Sequence, residues 1–196
     1  MATQVETLLT EKQSARRRRV IKAAMVLAAE GGYDAVQMRD VAARARVALG
    51  TLYRYFPSKD QLLVAALGEW TGELQQRLVT RPPRGSTPVE RVTDVLRRAT
   101  RALEREPQLT AALVTALSSL TSEDPKALED ASSVYLVMSE IIGHAMDDGD
   151  VHDREATVRV LGQVWFSALV AWVRGWGPDG QMFKDLEAAV RLLLPH

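Results

Sequence analysis

The residues best suited to work outside a core gather between positions 37 and 59. In the run Leu49-Gly50-Thr51-Leu52-Tyr53-Arg54-Tyr55, helical spacing turns Leu52 inward with Phe56. Leu49, Gly50, Thr51, Tyr53, Arg54 and Tyr55 are left outward. That is an odd face to show to water and a useful one to show to DNA. A tyrosine can hydrogen-bond a phosphate while its ring packs on sugar, Gly50 allows close backbone approach, and Thr51 can meet a thymine methyl or a phosphate. Arg54 carries the fork that fits a guanine edge or a phosphate. Lys59 sits at a helix start, where a bound phosphate would satisfy both the ammonium and the backbone N–H groups. Upstream, Arg16, Arg17, Arg18 and Arg19 occupy consecutive positions and so wrap around a helix. Such arginines can follow a DNA backbone or reach a minor groove, adding affinity without sequence preference. Alone, the run would also fit a solvated helix face; beside the 49–55 segment that reading weakens.

The charge distribution points the same way. The chain is neutral overall, with 25 basic and 25 acidic residues among 196. Between Lys12 and Lys59, however, eleven Lys/Arg stand against three acids, and from Asp60 onward fourteen stand against twenty. A basic head on an acidic body suggests a polyanion-binding unit joined to one with another task. The chain has no cysteine, which excludes disulfides and thiolate metal sites. The polar start, Met1 to Gln13, lacks a secretory apolar segment, and no run reads as long enough to cross a bilayer. The expected location is the cytoplasm, with no membrane partner.

The elements that must position these residues read as nine helices, an all-α fold with no strand alternation. A first helix is expected over Glu11–Glu30, with Val20, Ala24, Leu27 and Ala28 on one face and Gly31-Gly32 ending it. Two short helices follow, Met38–Ala45 and Leu49–Phe56, broken at Arg46-Val47. Pro57 closes the second. Their inward residues are Val41, Ala42, Ala45, Leu52 and Phe56. Ser58 and Gln61 propose a capping box for a long helix from Lys59 to about Val79, with an apolar stripe of Leu63, Leu67, Trp70, Leu74 and Leu78. Arg81 to Ser86 is the clearest linker. Thr87-Pro88-Val89-Glu90 is a second capping box, with proline at the first helical position. Helices to Glu106, from Gln108 to Leu120, from Asp124-Pro125 to Met146, from Asp153 to Trp176 and from Gln181 to Leu194 complete the chain, with Asp147 to Asp150 as a turn. Function divides as residues 1–58, a helix-turn-helix DNA-binding domain, and 59–196, an effector-binding and dimerisation domain.

Catalytic chemistry is thin. His144, His152 and His196 are the only histidines, and no two share a metal-ligand spacing. No phosphate-loop, dinucleotide or nucleophile-elbow motif occurs, so neither an enzyme nor a cofactor is expected.

The segment Gly31-Gly32-Tyr33-Asp34-Ala35-Val36-Gln37-Met38-Arg39-Asp40-Val41-Ala42, followed by Val47 to Lys59 with its GTLYRYFPSK core, resembles the head of the TetR family. The length and nine-helix plan resemble it too. The resemblance implies a homodimer on a palindromic double-stranded operator and a small-molecule effector in the body. It places DNA contacts on Gln37, Arg39, Ala48, Leu49, Gly50, Thr51, Tyr53, Arg54, Tyr55 and Lys59. The family usually has threonine where Gln37 stands, and glutamine caps a helix poorly. Within the family, Gly32 to Arg39, Ser86-Thr87-Pro88, Pro107-Gln108-Leu109-Thr110, Trp165-Phe166-Ser167, Ala171-Trp172 and Ala189 to Leu193 are similar to the branch that represses cholesterol catabolism. That branch implies a steroid acyl-CoA effector.

Large apolar and aromatic residues of the body could line a hydrophobic cavity or simply form core. The candidates are Leu67, Trp70, Leu74, Leu113, Leu117, Tyr135, Met138, Trp165, Leu169 and Trp172. Two further stripes are expected at the dimer surface: Val158, Leu161, Trp165, Leu169 and Trp172 on one helix, and Phe183, Leu186, Val190 and Leu193 on the next. Other readings stay open: an activator, a drug or fatty acyl-CoA effector, or a helical small-molecule-binding protein that merely carries the motif.

Overall fold

The computed structural model describes residues 2–120, 125–146, 153–178 and 180–194. Among them lie nine helices and no strand: α1 (Ala2–Ala35), α2 (Met38–Ala45), α3 (Leu49–Tyr55), α4 (Lys59–Thr80), α5 (Pro88–Glu104), α6 (Pro107–Ser118), α7 (Pro125–His144), α8 (Arg154–Val173) and α9 (Gln181–Leu193). The expected turn at Asp147 to Asp150 and the Asp124 cap lie outside the described residues.

Helix α1 is longer than expected, because nothing between Ala2 and Thr10 is a glycine or proline that would stop it. Its regular part ends where the glycines predict. Gly31 leaves helical geometry, and Gly32 takes φ 71° and ψ −162°, a backbone that L side chains resist. One more turn reaches Ala35. Arg46, at φ 55°, closes α2 in the left-handed region and starts the turn to α3. Ser58 Oγ accepts from Gln61 N to open α4. At α5 both halves of the Thr87–Glu90 capping box form.

The stretch before α5 is a fixed turn rather than a loose tether. Arg98 donates to the carbonyls of Arg81 at 2.8 Å and Pro82 at 3.4 Å and pairs with Asp94 at 2.7 Å. Asp94 in turn accepts from Arg84 N. Gly85 sits at φ 136°, where a Cβ would lie 2.4 Å from that of Glu90. Bonds from Ser86 and Thr87 hold the Glu90 carboxyl below the usual carboxylate range.

Two apolar cores result. The first joins Val20, Ile21, Ala24 and Ala28 of α1 to Val41, Ala42 and Ala45 of α2, to Leu52 and Phe56, and to the first turns of α4. It also takes in Leu109, Ala112, Leu113 and Ala116 of α6. The second joins Leu74 to α5, α7, α8 and α9.

That second core corrects the expected dimer stripes. Leu161, Leu186 and Val190 are fully buried inside the single chain, and Trp165 and Val158 nearly so. Periodicity marks an apolar stripe without saying whether the chain's own core or a second copy covers it. The helices instead turn Phe166 and Leu192 outward, 40 % and 86 % exposed. Helix α8 also corrects the expectation that no segment has membrane-spanning length and apolarity. Over an 18-residue window its mean hydropathy is 1.4, with 33 % of the window buried. Here it packs against α9, α7 and α6 as one helix of the bundle.

A polar joint fixes the head's corner. Lys59 Nζ lies 3.7 Å from the centre of the Tyr33 ring and donates to the Tyr33 carbonyl at 3.2 Å. The Tyr33 hydroxyl donates to Asp60 Oδ1 at 2.5 Å. The end of α1 is thereby held to the start of α4. Partial burial, then the bond to Asp60, push the Tyr33 phenol up to about 12.

Two consequences follow for stability. Phe56 is 2 % exposed at the centre of the head, so Phe56→Ala should lower the unfolding free energy by about 3–5 kcal/mol in urea titration. A loss under about 1 kcal/mol would show that the ring does not hold the head together. The fold favours the neutral phenol of Tyr33, so its contribution is complete below pH 10.0 and is lost as pH rises toward about 12. Absorbance titration of the four tyrosines should show one late ionisation that moves to lower pH in Asp60→Asn.

Candidate nucleic-acid interface and interior cavity

The α2–α3 pair presents a basic, partly aromatic face. Val41, Ala42 and Ala45 of α2 and Leu52 of α3 are buried, so the opposite sides of both helices face out. Gln37, Arg39, Ala48, Gly50, Tyr53 and Arg54 are exposed there, with Tyr53 at 46 %. Added to Gly50, a Cβ would meet nothing within 4 Å, so an approaching surface has room. Gln37 occupies the N-cap of α2 without capping it; its Nε2 donates back to the Asp34 carbonyl at 2.9 Å. The first N–H groups of α2 therefore have no side-chain acceptor at the cap, which suits a phosphate.

Other expected contacts are turned further inward. Leu49 and Tyr55 are half-buried and pack against the head core, and Thr51 is half-buried as well. The Tyr55 ring lies 6.4 Å from that of Phe56, with the Arg54 guanidinium 6.0 Å above it. A seven-residue helix flanked by core residues at both ends has little circumference left for solvent. Lys59 is engaged with Tyr33, so its charge is held in place rather than free to swing. The arginine run divides as consecutive helical positions must. Arg18 and Arg19 are exposed, whereas Arg17 lies 5.3 Å over the Phe56 ring and 3.5 Å from Glu69 of α4. Arg16 is half-buried.

The body holds a cavity of about 400 Å³ among α4, α5, α6, α7 and α8. Leu67, Trp70, Leu113, Leu117, Tyr135, Met138, Trp165 and Leu169 line it. Leu74 and Trp172 do not. Leu74 is buried in the second core, and Trp172 packs on that core beyond the cavity's end. Thr71, Leu103, Thr110, Val114, Ser139, Ile142, Gly162, Gln163 and Phe166 also line it. A search for large apolar residues passes over the small and polar ones among these. Only the packing of five helices brings them together.

The wall is almost wholly apolar in chemistry. Thr71 Oγ1 donates to the Gly68 carbonyl at 2.9 Å and Thr110 Oγ1 to the Leu103 carbonyl at 2.8 Å, so both hydroxyl protons are already used. Tyr135 and Phe166, each about two-fifths exposed, stand between cavity and surface. Such a space selects a hydrophobic body and offers it few polar anchors. Among the described residues, no three His, Cys, Asp or Glu side chains are grouped to hold a metal ion. His152 and His196 lie outside the described residues, and His144 sits exposed with Nδ1 against the Glu140 carbonyl.

Known proteins share both halves of this arrangement. Residues 20–66 match the model of bacterial regulatory proteins of the tetR family, and residues 85–193 match a tetracyclin repressor-like C-terminal domain. The HTH-type transcriptional repressor KstR of Rhodococcus jostii is 40 % identical over 190 residues, which cover 96 % of this chain and 87 % of that protein. A TetR transcriptional regulator from Rhodococcus sp. RHA1 superposes with a TM-score of 0.83 at 33 % identity, over 93 % of this chain and 97 % of that one. The Thermus thermophilus repressor FadR, solved in complex with lauroyl-CoA, shares the fold at 24 % identity and a TM-score of 0.69, over 90 % and 92 % of the two chains. With the basic α2–α3 face at one end and the matching C-terminal domain at the other, the chain belongs to the TetR family of bacterial transcriptional regulators.

Proposed function

We propose that this chain is a dimeric repressor that holds a palindromic operator through α2 and α3 and lets go when a hydrophobic effector fills the cavity. The observation that carries the proposal is the double membership of α6. Leu113 belongs to the head core and also lines the cavity. A ligand that displaces Leu113 or its neighbour Leu117 must move the surface on which α1 and α4 rest. In a dimer, a small rotation of each head alters the spacing of two recognition helices that must enter successive major grooves, roughly 34 Å apart. The two states need differ in affinity for the effector by only about 1.4 kcal/mol per tenfold change in operator binding.

The favoured effector is a CoA thioester of a sterol catabolite, and the regulated genes are those of sterol and lipid breakdown in the cytoplasm. The likeness to KstR supports this, as does an apolar cavity bordered by exposed Tyr135, beside which a polar head could remain outside. A fatty acyl-CoA is the second reading, because the FadR structure of similar fold was solved with lauroyl-CoA. The outward Phe166 and Leu192 of α8 and α9 make that side the favoured face for the second copy. The proposed division of labour places DNA binding in residues 1–58 and effector binding and dimerisation in 59–196.

Tyr53→Ala and Arg54→Ala, both changes on the exposed face of α3, should each weaken operator binding about tenfold to a hundredfold in gel shift, with the dimer intact by light scattering. Full affinity in both would remove α3 from the interface. Leu117→Trp should fill the cavity and abolish release while DNA binding persists. Thermal shift with a sterol-acid CoA thioester, lauroyl-CoA, free CoA and unrelated drugs should rank the thioesters. Stabilisation by the drugs alone would overturn the thioester proposal.

A further inference from the structure

Helix α6 reaches the head by a second route, which is polar. Gln108, in its first turn, lays its carboxamide across the end of the regular part of α1. Oriented as its two acceptors require, Nε2 donates to the Ala29 carbonyl at 2.9 Å and the Glu30 carbonyl at 3.0 Å. These carbonyls lie just before Gly31 and Gly32, where the chain leaves helical geometry and the α1 ladder is interrupted. The Glu30 side chain points the other way. Its carboxylate takes the Arg44 guanidinium in a two-bond fork, Nη1 to Oε2 at 2.9 Å and Nη2 to Oε1 at 2.8 Å. Arg44 belongs to the last turn of α2, whose next residue, Ala45, is buried under α3. Two residues beyond Gln108, Thr110 lines the cavity, as does Leu113 one turn further on.

We infer that Gln108, Glu30 and Arg44 are positioning residues that transmit effector binding from α6 to α2 independently of the apolar core. The inference rests on the proposed effector release and adds the residues that carry it. The apolar contacts of α1 with α6 pass a displacement on through close packing, but being non-directional they do not select particular atoms as partners. Hydrogen bonds do. A shift of α6 by about 1 Å away from these carbonyls takes the two Gln108 bonds from 2.9 and 3.0 Å to nearly 4 Å, beyond useful length, unless the end of α1 follows. The Glu30 fork then obliges α2 to follow as well. The groups are exposed, so the relay adds little to stability. Its effect lies in coupling between the sites, where a change of roughly fivefold to a hundredfold in operator affinity is the usual scale.

The test measures coupling separately from each binding step. The ligand is the CoA thioester of a sterol side-chain acid, and the duplex is one selected by the wild-type protein from random DNA. Operator affinity is measured with and without saturating thioester, and the ratio is the coupling factor. Thioester affinity is read from the fluorescence of the cavity tryptophans. Gln108→Leu and Arg44→Gln should each reduce the coupling factor at least fivefold, with thioester affinity within twofold of wild type. The double variant should lose no more than the worse single one, because breaking one chain twice has no added effect. A coupling factor unchanged in either single variant, or additive losses in the double, would overturn the relay. A second arm needs no ligand: Gln108→Leu should speed amide hydrogen exchange in α2 as well as at the end of α1, and Glu30→Gln in α2 alone. If wild type ignores the thioester, effector release by that ligand fails, and this arm decides the relay: unchanged exchange in α2 refutes it, faster exchange supports it.

Discussion

The structure depends on one helix with too many neighbours. Twelve residues of α6 complete the head core on one side and wall the cavity on another. Small and large residues alternate so that both are possible. Ala112 and Ala116 let α1 approach closely, while Leu113 and Leu117 extend toward the space among α4, α7 and α8. A helix buried on several sides cannot adjust to one neighbour without disturbing another, because packed interiors switch between arrangements instead of deforming smoothly. The head is therefore not a separate module on a tether. Its core is incomplete without residues from the second half of the chain.

The same constraint explains why the head needs polar fastenings. Two helices of eight and seven residues are too short to be stable alone. They are held by Phe56 beneath, by Tyr33 and Lys59 at one corner, and by Glu30 and Arg44 at the other. These fastenings set the orientation in which α3 presents the exposed Tyr53 and Arg54. Arg17 shows how the two jobs compete. It stands in the most basic run of the chain, yet it spends its charge on Phe56 and Glu69. It thereby steadies the head, while Arg18 and Arg19 stay exposed.

Local signals in the sequence carried most of the fold. Glycine pairs, prolines and capping residues are short-range chemistry, so the bounds of α2 and α9 and the starts of α4 and α5 were legible from a few residues each. The start of α1 was not, since a helix with no breaker can propagate through residues that announce nothing. The inward set Val41, Ala42, Leu52 and Phe56 was legible because 3.6-residue periodicity and burial coincide there. The outward set was less so. Tyr55 and Leu49 have the spacing of exposed residues but lie near the ends of α3, where flanking core claims them. In the body, size and apolarity found eight of the lining residues but passed over Leu103, Ile142 and Phe166, which are as large, and Thr71, Ser139 and Gly162, whose role comes only from their position. Leu74 and Trp172 show the reverse error: they look the same in sequence and are placed one turn too far along their helices to reach the cavity.

The α8 and α9 stripes carry the lesson furthest. An apolar stripe is a demand for cover, and the chain meets that demand itself with Leu161, Trp165, Leu186 and Val190. Yet only a third of the most apolar window of α8 is fully buried, most of the rest is half-buried, and Phe166 stands exposed. A helix of that composition has a second face to cover once its first is satisfied. Under the proposed action on a palindromic operator, a second copy of the chain is the partner whose symmetry fits. The inner stripe of α8 would then fix the cavity and the outer one the distance between heads. Effector and operator would be sensed on opposite sides of one helix.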